Sequence, residues 1–558
     1  MLASGCAEVV SLGAVLPFLA ILSDPDLLWQ HQLTRDLAAQ LGFNSASQLL
    51  LPVTLLFAAA AVLAALVRLV NLWLNGQLSA AVGSDLSCEA YRRMLYQPYE
   101  VHVQRNSASV ITTITYQIGA TVSALNALLQ LLTSAVVAIG LLTGLLLIDA
   151  SVAVAAAALF GSAYGALAFV SRRELRTNGE KIAEAETLQI KALQEGLGAI
   201  RDVLLDGNQT TYLQIYRQAD RPQRQLQAKN NFVGAFPRFS LEALGMVAIA
   251  LLGGILVVQR GSGSAVIPLL GAIALGAQRL LPALQQIYAN WAYLKSSKAA
   301  IQGVLGILNQ PLPPLVGIVE PMILREGICL KNLHFRYGSE LPDVIHGMEL
   351  EIRKGERIGL IGSTGSGKST LIDLLMGLLS PTSGRLFVDG IDLHDPSHPE
   401  RLESWMAAIA HVPQNIYLAD SSIAENIAFG VPRHLIDFAR VKRAAEQAQI
   451  ASFIESSSDG YASFVGERGI RLSGGQRQRI GIARALYKQS SVIVFDEATS
   501  ALDTSTEQAV MEGVEGLSRD LTLVLIAHRL STLTRCDRII RLEHGTAVDS
   551  GPPSQILI

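Results

Sequence analysis

Long apolar runs separated by polar segments fill residues 1–310, whereas residues 319–558 mix apolar and charged positions as soluble α/β proteins do. Six of the runs are about as long as the ~20 residues that an α-helix needs to cross a hydrocarbon core. They cover 2–22, 49–74, 122–148, 151–170, 241–258 and 265–281. The pattern predicts a membrane domain over 1–310 with six spanning helices, a linker over 311–318 and a soluble α/β domain over 319–558.

Two polar segments, 75–121 and 171–238, have a largely helical composition. We expect them to continue the spanning helices tens of ångströms beyond the membrane; two separate soluble insertions are the alternative. Segment 171–238 holds eleven lysines and arginines and segment 24–48 holds one, so both long segments are predicted to be cytoplasmic. Only Asp149 and Ala150 separate the third and fourth runs, which predicts a tight hairpin.

Composition agrees with a protein embedded in a lipid bilayer, since half of the residues are hydrophobic and 16% are charged. The net charge is −3 without any block of like charges, so no nucleic-acid partner is indicated. The four cysteines lie far apart without a CxxC pair, which argues against a zinc site or a disulfide framework. The first run starts at Met1 with no basic flank and no cleavage site, which favours a short or truncated first helix over a signal peptide.

A glycine-rich loop lies between the apolar strand 357–361 and the helical run 371–379. Strand, glycine loop and helix form the context in which backbone N–H groups surround phosphates. Lys368 is expected to reach the β- and γ-phosphates of ATP, and Ser369 to hold Mg²⁺. The residues of the predicted ATP-binding loop are Gly362, Ser363, Thr364, Gly365, Ser366, Gly367, Lys368, Ser369 and Thr370.

Two acids follow directly on the apolar strand 492–495. In P-loop ATPases an acid at such a strand end binds Mg²⁺, so we assign this role to Asp496. Glu497 is then placed to polarise the attacking water. A solvated turn is the alternative explanation of the acid pair, and the P-loop upstream argues against it.

The stretch Leu-Ser-Gly-Gly-Gln-Arg-Gln-Arg over 472–479 precedes a helical run and the acidic strand. It resembles the signature motif of the ABC ATPases. The resemblance implies that this motif faces the γ-phosphate held on the P-loop of a second domain, with a helix N-terminus behind it. The motif residues concerned are Leu472, Ser473, Gly474, Gly475 and Gln476. The chain would then supply two unlike half-sites and pair with a second copy or with a homologous half-transporter.

Other positions resemble the same family one at a time. Tyr337 resembles the aromatic residue that stacks on adenine, Gln414 the Q-loop residue, Asp503 the D-loop aspartate and His528 the switch histidine. Without the family, Tyr337 would be read as a strand residue and His528 as a core or surface residue. The resemblance implies catalytic roles for Glu497, His528 and Gln414, with ATP and Mg²⁺ as cofactors. The residues implied to hold Mg²⁺ are Ser369, Gln414 and Asp496.

Segment 465–469, Val-Gly-Glu-Arg-Gly, resembles the X-loop of ABC exporters. The resemblance to these exporters covers nearly the whole chain and implies a polytopic α-helical membrane domain, with six helices, fused to an α/β P-loop ABC ATPase domain. It further implies export or flipping of an amphipathic substrate by alternating access, driven by ATP hydrolysis. The expected location is a bacterial plasma (inner) membrane, with the ATPase domain in the cytoplasm.

Exporters of this kind dock loop helices of the membrane domain onto the ATPase. The candidate docking segments are 105–112 and 193–200, and in the second of them Gly196 and Gly198 weaken the helix. Plain continuation of a long helix is the alternative.

Three ionisable residues lie inside predicted spans, where charge is costly and usually faces a cavity. Glu8, Arg68 and Arg279 fall at similar depth in the inner-leaflet third, counted at about 1.5 Å per residue. A cavity lined by the arginines would suit an anionic lipid headgroup. Snorkelling of the arginines to the cytoplasmic interface, or their pairing with Glu8, is the alternative.

The stretches 8–19, 24–48 and 279–287 resemble the lipid-linked oligosaccharide flippases among bacterial ABC exporters. This resemblance favours a lipid-linked oligosaccharide or another lipid as the substrate. A peptide or drug exporter is the alternative within the family. An ATP-gated channel and a non-transporting ABC ATPase are alternatives of a different class, and the six predicted spans argue against the second.

Overall fold

The structure is a computed structural model. It describes residues 7, 50–148, 150–260, 266–314, 317, 319–497, 504–515, 520–526 and 533–557. The chain divides into two compact units, of which the first is helical and ends at Pro311. The second unit begins at Leu312 and also includes Pro98–Gln104 from within the helical part of the sequence.

Helices alone make up the described chain before the first strand. They are α1 Leu50–Leu95, α2 Tyr99–Gln104, α3 Ser107–Thr112, α4 Ile118–Ile148, α5 Ala150–Gly198, α6 Ile200–Leu205, α7 Gln209–Arg260, α8 Val266–Ser296 and α9 Lys298–Leu308. A π-helical turn, Thr113–Gln117, joins α3 to α4. The second to sixth apolar runs correspond to α1, α4, α5, α7 and α8, and the run 2–22 falls outside the described residues except for residue 7.

The helices α1, α5 and α7 are much longer than a bilayer is thick, with 46, 49 and 52 residues. At about 1.5 Å per residue they extend for roughly 70–80 Å, against a hydrocarbon core of roughly 30 Å. The polar segments therefore continue the apolar helices, as predicted, and are not separate insertions. Among the described residues, α1 and the continuous helix Ser107–Gly144 are long and apolar enough to cross a membrane by length and composition.

Apolar side chains of α4, α5, α7 and α8 meet in one buried cluster, which includes Val137, Phe160, Leu241 and Leu281. Each of these residues lies in or at the edge of a predicted span. Outside the membrane, burial of apolar side chains stabilises helix packing by about 25 cal/mol for each Å² of apolar surface removed from water. Inside a bilayer, close packing of side chains takes over that role.

The predicted docking segments need correction, because Pro98–Gln104 and not 105–112 lies with the second unit. Proline disfavours helix for the residue before it, so α1 ends ahead of Pro98. Asn106 then starts the returning helix, since its side chain accepts a hydrogen bond from Ala108 N at 2.8 Å. In the second cytoplasmic segment the short helix α6 begins only at Ile200, and most of 193–200 continues α5.

Two sheets organise the second unit. Its strands are β1 Gly327–Phe335, β2 Ile345–Arg353, β3 Arg357–Gly362, β4 Ser383–Val388, β5 Ile391–Asp392, β6 Ile409–Val412, β7 Val492–Asp496, β8 Thr522–Ile526, β9 Arg538–Glu543 and β10 Thr546–Gly551. An antiparallel sheet has the order β2-β1-β4-β5, and a six-stranded sheet has the order β10-β9-β3-β8-β7-β6. Strands β9, β3, β8, β7 and β6 are parallel, so the loops after β3, β6, β7 and β8 share one edge.

Helices flank these sheets. They are α10 Lys368–Leu375, α11 Glu400–Ala408, α12 Ile423–Ile427, α13 Phe438–Gln447, α14 Ala451–Ser456, α15 Gly474–Lys488, α16 Thr504–Glu515 and α17 Pro553–Ile556. Helix α10 follows β3 directly, while α15 packs against β6 and α13. The two helices that carry the predicted phosphate-binding motifs therefore stand on strands at different positions in the sheet.

Candidate nucleotide site

The predicted phosphate loop connects β3 to α10. Gly365 and Gly367 have φ angles of +83° and +97°, which L side chains rarely adopt, and this explains the glycines in the loop. The ammonium of Lys368 donates to the carbonyl oxygens of Gly362 and Ser363 at 2.8 and 3.0 Å. The lysine thus lies over its own loop, where phosphate oxygens can replace the two carbonyls as its acceptors.

Tyr337 lies beside this loop, shortly after the end of β1. Its hydroxyl is 3.1 Å from Oγ1 of Thr370, in the first turn of α10. Its ring meets Phe335 edge-on, with the ring centroids 4.9 Å apart. An aromatic ring is therefore present next to the phosphate loop, where the family resemblance requires one.

The carboxylate of Glu497 is held by the neighbouring loop. Gln414, two residues past the end of β6, donates from Nε2 to Oε2 of Glu497 at 2.7 Å. Glu497 has a φ of +49°, a conformation that is costly for a residue with a Cβ, and its backbone N–H donates to Ile526 O at 3.0 Å. Two adjacent strands therefore aim one carboxylate, and such backbone strain is typical of functional sites.

Negative charge accumulates between the phosphate loop and the end of β7. Burial and the neighbouring Glu497 raise the pKa of Asp496, and the ammonium of Lys368 opposes this shift. Burial also raises the pKa of Asp373, in α10, to about 6, and Asp496 adds to the effect. Burial and mutual repulsion therefore disfavour the charged forms of Asp496 and Asp373, and a nearby cation would offset both effects.

The signature stretch forms the N-terminus of α15. Ser473 caps the helix: its Oγ accepts from Gln476 N at 3.3 Å, while Gln476 Oε1 accepts from Ser473 N at 2.8 Å. Gly474 and Gly475, in the first turn, leave the positive end of the helix uncovered by side chains. This end is suited to an anion.

The signature and the phosphate loop of one chain are far apart in the sheet. The loop follows β3, whereas α15 packs on β6, and β8 and β7 lie between these strands. Three strand spacings of about 4.8 Å amount to roughly 14 Å. A phosphate on the loop is therefore out of reach of the signature of the same chain.

Helix α2, from the first cytoplasmic segment, contacts the same surroundings. Oε1 of Glu100 accepts from the backbone N–H of Ser380 at 3.0 Å, and Nε2 of Gln104 donates to the carbonyl of Tyr337 at 3.0 Å. Burial raises the pKa of Tyr99, and the nearby Asp373 and Tyr337 contribute. The segment is thereby attached to the residue beside the phosphate loop.

Several predicted residues cannot be located. Asp503, His528 and Glu8 lie outside the described residues, as does the side chain of Arg279. Arg68 is exposed on α1, and its Nε donates to the carbonyl of Ala64 at 3.4 Å. Asp373, Glu100 and Gln104 were missed from the sequence; the position of Asp373 in the helix after the P-loop was the one available signal.

Replacing Glu497 by glutamine removes the carboxylate but keeps an oxygen that Gln414 can bind. If Glu497 polarises the attacking water, the turnover of ATP should fall at least about 100-fold while ATP binding is retained. Steady-state phosphate release and nucleotide binding by the purified full-length protein measure the two quantities. The exposed Glu351 offers a control, Glu351→Gln, which should leave turnover unchanged; turnover near the original level in Glu497→Gln would refute the assignment.

Asp373→Asn should stabilise the ATPase domain at pH 7.5 in nucleotide-free protein with a chelator present. The folded-state pKa of about 6 lies above the ordinary value of 3.8, so the native state binds the proton more tightly than the unfolded state. The free energy of unfolding therefore falls as pH rises through this window. Because the group is partly exposed, we expect a gain of about 1 kcal/mol after screening.

The gain should shrink as the pH of the thermal unfolding experiment is lowered from 7.5 to 5, where Asp373 is protonated in the folded protein. The exposed Asp549 provides a control, Asp549→Asn, without this pH dependence. An equal difference at both pH values would show that the charge of Asp373 is not the cause.

Comparisons with known proteins cover both units. A family model described as "ABC transporter" matches residues 345–500. The ATP-dependent lipid A-core flippase of Chromohalobacter salexigens is 31% identical over 483 residues, which are 85% of this chain and 80% of that protein. A leukotoxin translocation ATP-binding protein of a Pasteurella haemolytica-like species is 42% identical over 253 residues, 45% of this chain and 35% of that protein.

A solved structure resembles nearly the entire chain. It is that of a bacterial Atm1-family ABC exporter with ATP bound, with a TM-score of 0.78 and 25% identity over 98% of this chain and 95% of that chain. The predicted fold class, a helical membrane domain fused to a P-loop ATPase domain, is confirmed by this match and by the family model. The chain therefore belongs to the ABC exporters, as a half-transporter that is an integral membrane protein with a cytoplasmic, nucleotide-hydrolysing ATPase domain.

Proposed function

We propose that two copies of this chain form a homodimer that flips a lipid with a sugar-bearing headgroup across a bacterial inner membrane, driven by ATP hydrolysis. The observation that supports this proposal best is the share of the chain that each relative matches. The lipid A-core flippase matches the membrane part as well as the ATPase part, over 483 residues. The leukotoxin relative matches only 45% of the chain, about the share of the ATPase domain. Because the substrate is selected by the membrane domain, the first relative is the informative one.

The domain arrangement that we propose is the predicted one, with the membrane domain over 1–310, a linker over 311–318 and the ATPase domain over 319–558. The second unit of the structure starts at Leu312, which supports a boundary close to this linker. The segment Pro98–Gln104 is an addition to the second unit from the membrane domain.

In the proposed ATPase cycle, Tyr337 stacks on adenine and the loop from Gly362 to Thr370 surrounds the phosphates. Glu497, aimed by Gln414, orients and polarises water for attack on the γ-phosphate. His528 and Asp503 are assigned by family resemblance to the γ-phosphate and to the D-loop.

Mg²⁺ fits the donors offered by the first turn of α10, the loop after β6 and the end of β7. Ser369, Gln414 and Asp496 offer oxygen donors, which Mg²⁺ prefers. Burial and the neighbouring Glu497 raise the pKa of Asp496, and a bound cation would stabilise its charged form. No cluster of three or more acidic, histidine or cysteine side chains that could hold a metal exists among the described residues. The ion would therefore complete its shell with phosphate oxygens, and the chemistry it supplies is neutralisation of phosphate charge.

The partner follows from the separation of roughly 14 Å between the phosphate loop and the signature strand. Each ATP on a phosphate loop needs the signature motif of another domain, and this chain contains both a phosphate loop and a signature motif. A second copy is the simplest source. Binding of two ATP molecules would then join two ATPase domains, and hydrolysis would release them.

Helix α2 offers a path from this site to the membrane domain. Its two hydrogen bonds reach the backbone at Tyr337 and Ser380, on either side of the phosphate-loop helix. Because α2 lies between α1 and α3, a rigid-body movement of the ATPase domain would carry the ends of both helices with it. The closing of the dimer would in this way change the access of the cavity between the membrane domains.

The function can be tested in liposomes that hold the purified protein and a fluorescent lipid with a phosphorylated sugar headgroup. Only transporters whose ATPase domains face the outside of the liposome can use added ATP. We expect these transporters to move the lipid to the lumenal leaflet, where it is protected from a membrane-impermeant quencher. Glu497→Gln should show the rate of protein-free liposomes, and Glu351→Gln the original rate. ATP hydrolysis without movement of the sugar lipid, combined with uptake of a peptide or drug, would contradict the lipid assignment and leave the exporter intact.

A further inference from the structure

A cavity of about 550 Å³ lies within the helical unit, between α5, α7 and α8. Its lining combines apolar and aromatic residues with amides and one arginine, and among the described residues it contains no carboxylate. Tyr164 comes from α5 and Gln285 and Gln286 from α8, while α7 contributes Asn230, Asn231 and Arg238. Such amide and aromatic groups are suited to sugars, and a guanidinium is suited to phosphate.

The cavity lies at the cytoplasmic ends of three predicted spans. Tyr164 is six residues, about 9 Å, inside the span 151–170. Arg238 immediately precedes the span 241–258, and Gln285 and Gln286 follow the span 265–281. The cavity therefore extends from the level of the cytoplasmic headgroups to about 9 Å inside a predicted span, and the hydrocarbon chains of a lipid would extend from there along the apolar parts of the same helices.

Tyr164 has an unused hydroxyl in this place. The residue is only 8% exposed, and its Oη has no hydrogen-bond partner among the described atoms. Its ring packs against Tyr288, with centroids 5.7 Å apart, and the hydroxyl of Tyr288 is already paired with Ser171 at 3.3 Å. A buried tyrosine hydroxyl normally has a partner, so the vacancy at Tyr164 indicates a ligand.

The other polar groups of the cavity present donors. Oε1 of Gln286 accepts from Ser134 Oγ at 2.7 Å, and Oδ1 of Asn230 accepts from Asn178 Nδ2 at 2.8 Å. Both amides therefore use their oxygen towards the protein and retain their N–H groups. Arg238 has no carboxylate within ion-pair distance in the described part of the chain, and its guanidinium contacts the ring of Phe239, 5.8 Å away. A ligand with many acceptor oxygens and negative charge would satisfy this set.

We propose that this cavity binds the phosphorylated sugar headgroup of the transported lipid in the cytoplasmic leaflet, with Arg238 on the phosphate and Tyr164, Asn230 and Gln286 on sugar or phosphate oxygens. The proposal rests on the lipid-flipping function proposed above and names its initial binding site. It differs from the site expected from Glu8, Arg68 and Arg279, since Arg68 does not line this cavity.

The test uses the full-length protein in nanodiscs and a bis-phosphorylated disaccharide lipid. Binding to nucleotide-free protein is measured by native mass spectrometry, and the lipid concentration that half-maximally stimulates ATP hydrolysis is measured in parallel. Tyr164→Phe removes one hydroxyl from the cavity, and Arg238→Gln removes its charge. Arg217, exposed on the same helix α7 and outside the cavity, provides the matched control Arg217→Gln.

We expect each cavity variant to need about tenfold more lipid for both binding and stimulation, the loss of about one good hydrogen bond or charge contact. Arg217→Gln should bind lipid, respond to lipid and hydrolyse ATP without lipid as the unaltered protein does. With the dephosphorylated lipid, the unaltered protein should also need more lipid, and Arg238→Gln should add no further loss.

If the cavity variants, the control and the unaltered protein needed the same lipid concentration for half-maximal binding and stimulation, the proposed site would be wrong, while the lipid-flipping function would stand. If inorganic phosphate or a soluble sugar phosphate displaced the bound lipid as effectively as unlabelled lipid does, the lipid headgroup would not be the occupant. Failure of the unaltered protein to bind or move any sugar lipid would refute the proposed function, and the site assignment with it.

Discussion

A phosphate on the P-loop of this chain is separated from the chain's own signature helix by three strand positions, roughly 14 Å. Both elements are rigidly placed: the loop by β3 and α10, the signature by the capped N-terminus of α15 on β6. No rotation of a side chain bridges such a distance. In the proposed cycle the signature of a second domain completes each phosphate loop, so ATP binding joins two chains and moves the helices attached to them.

Other contacts in the ATPase domain position the residues around this phosphate loop. Gln414, from the loop after the neighbouring strand, binds the carboxylate of Glu497, and burial raises the pKa values of Asp496 and Asp373. Helix α2 is hydrogen-bonded to the backbone at Tyr337 and at Ser380. In the proposed cycle these residues connect the nucleotide site, through α2, to the long helix α1 and to the helical run that starts with α3.

Local patterns predicted the ATPase domain because each motif carries its own structural reason. The glycines of the P-loop have left-handed φ angles, and Ser473 with Gln476 forms a capping box that the sequence spells out. The docking segment was placed too late in the sequence because Pro98 and Asn106, which delimit α2, were not weighed as helix boundaries. The hydrogen bond between Gln414 and Glu497 joins residues 83 positions apart, and only the sheet order brings them together.

The cavity between α5, α7 and α8, in contrast, could not be predicted from the sequence. Its residues come from three helices, between Tyr164 and Gln286, and form no motif; its amides and tyrosines are ordinary residues at helical positions. Charge inside the apolar runs indicated Arg68 as a cavity residue, whereas Arg238 lies just outside a run and indicated only the orientation of its segment. A lining that depends on the packing of distant helices cannot be read from a single sequence.

The most direct test of the account is a cross-link between the two half-sites. One chain would carry Ser363→Cys and a differently tagged chain Gly474→Cys, both with Glu497→Gln, and a disulfide requires Cα atoms within about 7 Å. The account predicts an oxidised product that contains both tags, formed with ATP and Mg²⁺ and absent when either engineered cysteine is omitted. If no such product forms, and a single chain with both cysteines instead forms an internal disulfide, the two half-sites meet within one chain and the account is wrong.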